Sequence, residues 1–183
     1  MNIALDAGHG YKAKSSTGAR GNNLVEDDLA LKIVHKLRWY LLQAGVEVTL
    51  TRPDQAFVAL PIRGILAKAK QCHAFVSIHI NASTNSDASG AEVLAAENDH
   101  RSAEFAKKLL DVMVQKGLKR RGVKWDSQSQ HSKLKVLRDT YKTMPAVLLE
   151  IGFITNTSDA TKLRDEKWLD ELAASLSNAI KSI

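Results

Sequence analysis

The chain has 183 residues, 44% hydrophobic and 25% charged, with one cysteine and a net charge of +6. That length and mix describe one domain of about 100–200 residues and exclude a disordered or low-complexity chain. Cys72 stands alone, which excludes an internal disulfide, and no apolar run approaches the roughly 18 residues of a membrane-spanning helix.

At the start, Met1-Asn2 leads straight into Ile3-Ala4-Leu5, with no basic n-region, apolar h-region or small-residue cleavage site. Synthesis without a signal peptide is therefore the expectation. Ile3-Ala4-Leu5 reads as a buried strand running into a glycine-flexed turn, Asp6-Ala7-Gly8-His9-Gly10. Residues 11–25, rich in Gly, Ser and Asn, read as loop. A helix is predicted from Glu26 to about Ala44, because Leu29, Ile33, Leu37 and Leu41 recur every fourth residue. Glu26, Asp27 and Asp28 fill its first turn, where acids suit the helix dipole. Val46 to Thr51 is the next strand, and a helix opened by Pro61 runs to about Cys72.

Ala74 to Ile80 is a third, largely apolar strand, and Gly90 to Ala95 a fourth, placed at an edge. His100 to about Leu118 is helical on a stripe of Phe105, Leu109, Val112 and Met113. Residues 119–138 read as loop, closing in a short strand near Leu134 to Leu137. Ala146 to Ile151 is the last strand and Lys167 to Ile183 the last helix. Strands alternating with helices predict one α/β domain over residues 1–183. Its sheet should be mixed but mainly parallel, twisted, of about six strands, with helices on both faces.

Charge is concentrated in one window. Lys119, Arg120, Arg121, Lys124, Lys133, Lys135 and Arg138 face a single acid, Asp126, so residues 119–138 carry the whole net charge. Such a window is either a solvated loop or a surface for an anionic partner.

Four polar side chains fall at strand ends or a helix start. His9 follows the first strand, His79 lies at the end of the third, Glu150 at the end of the last, and Glu26 opens the first helix. In α/β sheets ligands bind outside the carboxyl ends of the strands. Parallel strands would deliver two imidazoles and two carboxylates to one rim. Two His and one carboxylate leave a zinc ion an open position, and the second carboxylate can act as base. Glu150 is the most telling of the four, because a carboxylate in the apolar run Leu148-Leu149-Glu150-Ile151 is costly unless paired, protonated or metal-bound. Asp6 and Asn81 flank the ligands and are candidates for orienting the imidazoles. His131 is a weaker candidate for reaching a substrate, and Trp39, Trp125 and Trp168 are assigned to packing.

At these residues the sequence resembles the zinc-dependent N-acetylmuramoyl-L-alanine amidases of type 3. The resemblance rests on Leu5 to Gly10, Val25 to Leu31, Thr51-Arg52-Pro53-Asp54, Leu60-Pro61-Ile62-Arg63, Ser77 to Ala82 and Met144 to Asn156, in the family's order. It implies that His9, Glu26 and His79 hold one zinc ion and that Glu150 is the catalytic carboxylate. The implied reaction is hydrolysis of the amide between N-acetylmuramic acid and L-Ala of the peptidoglycan stem peptide. The implied setting is the cell wall, outside the cytoplasm, as an endolysin or autolysin domain. No inserted helix that would block the zinc is visible, and an open site is expected.

Peptidoglycan is thus the expected partner, with anionic wall or envelope polymers as a further one for the basic window. No nucleic-acid partner is expected, and the chain should be a monomer. Two other readings differ in what they predict. A zinc peptidase would cut within the stem peptide, and a non-catalytic anionic-polymer binder would leave Glu150 unexplained.

Overall fold

The computed structural model describes residues 1–11, 17–129 and 132–183. In chain order the elements are β1 (Asn2–Ala7), β2 (Arg20–Gly21), β3 (Leu24–Val25), α1 (Glu26–Gln43), β4 (Glu47–Leu50), α2 (Leu60–Ala69) and β5 (Ala74–Asn81). They continue with β6 (Ala91–Ala95), α3 (His100–Gln115), β7 (Arg120–Trp125), α4 (Lys135–Arg138), β8 (Ala146–Phe153), α5 (Thr157–Arg164) and α6 (Glu166–Lys181). Six strands form one sheet in the order β4-β1-β5-β8-β6-β7. The first four are parallel, β6 runs antiparallel to β8, and β7 is parallel to β6. Strands β2 and β3 make a small separate hairpin.

Period-two alternation sorts the strand side chains onto two faces. Ile3, Leu5, Val76, Ile78, Val147, Leu149 and Val93 pack against α1, α3 and α6, in the larger core. Ala4, Phe75, Ala146, Leu148 and Leu94 face the other way, onto Ala67 of α2 and Val136 and Leu137 of α4. The α1 stripe Leu29, Ile33, Leu37 and Leu41 is buried as its spacing predicts. Each such side chain contributes about 1.5–3 kcal/mol by leaving water. The second core is the smaller, and it thins toward the ends of β5 and β8. Asp6, Ser77, His79, Glu150 and Glu92 fall by parity on this second face.

The structure corrects the sequence reading in four places. β6 is an inner strand rather than an edge, because β7 covers its other side. β7 lies where loop was expected: its exposed basic residues suit an edge strand, whose charges discourage pairing with another chain, but they also imitate a loop. Where a strand was expected near Leu134 to Leu137, Lys135–Arg138 form the helical turn α4, with Leu134 as its N-cap and Val136 and Leu137 buried. Trp39 is 57% exposed rather than packed, whereas the Trp168 indole donates to the Lys116 carbonyl. His131 lies outside the described residues.

Most of the basic window is paired locally. Arg120 pairs with Asp111, Arg121 and Lys124 with Glu92, Lys135 with Asp139, and Arg138 with Asp126. Among the described residues, only Lys119 and Lys133 of the seven lack a carboxylate partner.

Candidate metal centre and active-site cavity

The turn after β1 carries His9 in the left-handed region, with φ of 65°. Two buried arginines clamp that turn. Arg52 donates from Nε to the Ala7 carbonyl and from Nη2 to the Gly8 carbonyl, both at 2.9 Å, and lies 2.7 Å from Asp27 Oδ1. Arg63 donates to the carbonyls of Ala7 and His9 and to Asp6 Oδ1. Both belong to stretches that resemble the family, but the reading of the residues themselves gave neither a role. A lone arginine beside a proline reads as surface, and only the fold brings it under the turn.

Asp6 therefore does not orient an imidazole. Its carboxylate accepts from Thr51, from Ser77 at 2.6 Å and from Arg63 at 3.1 Å, so it holds the arginine that holds the turn. Asn81 likewise donates to Glu92 at 3.2 Å rather than to a histidine.

His9, Glu26 and His79 do meet. Nε2 of His9 and Nδ1 of His79 stand 2.9 Å and 3.0 Å from Oε1 of Glu26, with the rings edge to face at 5.0 Å. One ligand atom from each residue lies within 4.8 Å of the others. Glu26 opens α1, entered from β3 with Val25 as an N-cap that supplies no side-chain bond. Its carboxylate accepts from the Ile80 and Ala19 backbone N–H groups. Burial opposes its ionisation, but bonds and charges from His79 and His9 outweigh that and hold the carboxyl far below the usual range.

Backbone packs directly against these side chains at two glycines. A Cβ on Gly8 would lie 2.4 Å from the His79 ring, and one on Gly18 would lie 2.4 Å from Glu26 Oε2. Gly18 also has φ of 73°, where an L side chain is strained.

Glu150 is the register neighbour of His79 on one side and of Glu92 on the other. Its Oε2 is buried with no hydrogen-bond partner among the described residues. Burial pushes its carboxyl well above the usual range, and the nearby charges of Glu26 and Glu92 add to this, against a smaller opposing effect from Lys124. Glu92, equally part of an apolar strand, differs in being satisfied. Burial again opposes ionisation, but hydrogen bonds from Lys124 and Arg121 lower its pKa. Glu92 in Ala91-Glu92-Val93-Leu94 is as costly in an apolar strand as Glu150, a signal in the sequence that could have found it.

One cavity of about 430 Å³ is walled by His9, Glu26, His79, Glu92 and Glu150 with Leu94, Leu134 and Leu148. That volume suits a small-molecule or peptide site. Two imidazole nitrogens and an ionised carboxylate in so small a space fit a divalent metal ion, and the unpartnered carboxyl oxygen of Glu150, which lines the same cavity, fits a proton acceptor.

Fold and cavity together define a class: an α/β domain with a His-Glu-His donor set gathered beyond its strand ends, as in metal-dependent hydrolases. Residues 3–182 match the family described as N-acetylmuramoyl-L-alanine amidase, and the chain belongs to that family. It is a hydrolase of the peptidoglycan amide bond that the family name specifies. The chain is 37% identical to the uncharacterised protein YqiI of Bacillus subtilis (strain 168), over 98% of this chain and 83% of the relative. It is 35% identical to the endolysin of Bacillus phage SPP1, over 99% of this chain and 65% of the relative, just under two thirds of its length. The catalytic domain of CwlV, an amidase from Bacillus (Paenibacillus) polymyxa var. colistinus, superposes with a TM-score of 0.86 at 31% identity, covering 99% of this chain and 96% of that one.

Proposed function

We propose that residues 1–183 act as one catalytic domain that cleaves the amide between the lactyl group of N-acetylmuramic acid and L-Ala, with one zinc held by His9, Glu26 and His79. The observation that carries this reading is the convergence of the three donors beside the unpartnered Oε2 of Glu150. Zinc bound there would supply a Lewis acid that polarises a carbonyl and makes water easier to deprotonate.

The chain's own residues supply the rest. Glu150 takes a proton from the attacking water at its free oxygen and returns it to the departing L-Ala nitrogen. Arg52 and Arg63 keep His9 in place by fixing the carbonyls around it, and the Ile80 and Ala19 amides aim Glu26. The setting is the cell wall, outside the cytoplasm, with the domain acting as a monomer. Lys119 and Lys133 are what remains of the basic window for attraction to anionic wall polymers.

Metal analysis with product analysis tests the reading. The purified protein should hold about one equivalent of zinc, and chelation or Glu150→Ala should abolish release of peptides with a new N-terminal L-Ala. Full activity without metal would overturn it, and so would cleavage confined to the interior of the stem peptide.

A further inference from the structure

Beyond the proton-transfer machinery, Glu92 on the cavity wall holds two cations. Arg121 and Lys124, on the edge strand β7, both donate to the same atom, Oε2 of Glu92, at 2.8 Å and 2.7 Å. Two cations share one carboxylate, and no other ion pair forms to either among the described residues. Their side chains are 31% and 32% exposed, so each keeps a solvent-facing part.

Arg121 is the better prepared of the two. It engages Glu92 through Nε, and its guanidinium lies 4.7 Å over the Phe153 ring. One hydrogen bond and one stacking surface therefore set the plane of the group. Nη1 and Nη2 have no acceptor among the described residues. A guanidinium oriented in advance, with its two terminal nitrogens open, is suited to bidentate capture of a carboxylate.

We propose that Arg121 binds, through Nη1 and Nη2, the free α-carboxylate of the γ-linked acidic residue that follows L-Ala in the stem peptide, with Lys124 as the supporting cation. This rests on the amidase reading above. The reach agrees: the Arg121 guanidinium is held at Glu92, which pairs directly with Glu150 across β6 and β8, within roughly 10 Å of it. From the scissile amide, two residues of extended chain span about 7 Å, and a hydrogen bond of about 2.9 Å completes the distance. Glu92 is a positioning residue here, holding both cations without touching the substrate.

The test is calorimetric binding of two peptides to the intact protein: N-acetyl-L-Ala-γ-D-Glu-L-Lys-amide, and the same peptide with the glutamate α-carboxylate converted to carboxamide. The wild type should bind the acid form about tenfold or more tightly than the amide, in line with charged hydrogen bonds elsewhere. Arg121→Met should erase that preference, and Arg121→Lys, which keeps the charge without the fork, should retain only part of it. Unfolding curves of both variants confirm that they are folded. Equal binding of the two peptides by the wild type overturns the proposal, as does undetectable binding of either or a preference that survives Arg121→Met. Release of N-terminal L-Ala peptides from muropeptides, measured alongside, reports separately on the amidase reading. A protein that prefers the acid peptide but cuts nothing defeats that reading and leaves the carboxylate site standing.

Discussion

Glu150→Gln should inactivate the protein and at the same time stabilise its metal-free form. The wild-type carboxyl places a buried, unpartnered Oε2 near two other carboxylates. Leaving a buried acceptor unsatisfied costs about 1–3 kcal/mol, and more when it is charged. Glutamine keeps the volume and removes the charge. The sign follows from linkage. A carboxyl whose folded pKa lies above the ordinary value of 4.5 holds its proton more tightly in the native state. Its contribution is therefore fully favourable below pH 4.5 and is lost as pH rises, at about 1.4 kcal/mol per pH unit until the folded value is passed. Urea unfolding with chelator present, from pH 4 to pH 8, should show the two proteins nearly equal at pH 4. At pH 8 the variant should be ahead by about 1–3 kcal/mol, or roughly 2–4 °C in Tm for each kcal/mol at this chain length. A gap that does not grow with pH, or a variant less stable at pH 8, would refute the reasoning.

Other perturbations separate the scaffold of the site from its surface. Arg63→Met leaves the Asp6 carboxylate buried without its cation and releases the carbonyls of Ala7 and His9. It should cost about 3–5 kcal/mol in urea unfolding and lower zinc affinity about 10–100-fold in a competition titration; a loss under about 1 kcal/mol would mean that the turn holds itself. Gly18→Ala drives a methyl to 2.4 Å from Glu26 Oε2, so muropeptide cleavage should fall at least about tenfold for a 1 Å-scale displacement of a ligand. Activity equal to wild type would show that the site can yield there. Lys32→Ala removes an exposed pair with Glu166, and its unfolding free energy should stay within about 0.5 kcal/mol of wild type.

Much of the fold is legible because most of its signals are local. The i+4 stripe of α1 and the apolar runs of β5 and β8 each express a periodicity that a packed face requires, and all are found buried. β7 is harder to read, because Arg120-Arg121-Gly122-Val123-Lys124-Trp125 is half-exposed and only its pairing with β6 makes it a strand. α5 leaves little trace in the sequence for a similar reason: its buried apolar residues are only Ala160 and Leu163, and an Asn156 cap on the Asp159 N–H starts it.

By itself, the sequence points to the residues proposed to carry the chemistry. His9, Glu26, His79 and Glu150 are marked by position at strand ends and by the cost of a carboxylate in an apolar strand, and the ordered motifs assign them a family. What holds them in place is decided only in three dimensions. Arg52 and Arg63 come from segments some 45 and 55 residues after the turn they clamp, and Asp6 serves one of those arginines instead of a ligand ring. Glu92 becomes part of the cavity only because β6 pairs antiparallel to β8 and brings it beside Glu150. The physical reason is the range of the forces involved. Burial and backbone periodicity act on neighbouring residues and leave a trace in the sequence, whereas hydrogen bonds and ion pairs select partners by distance in space.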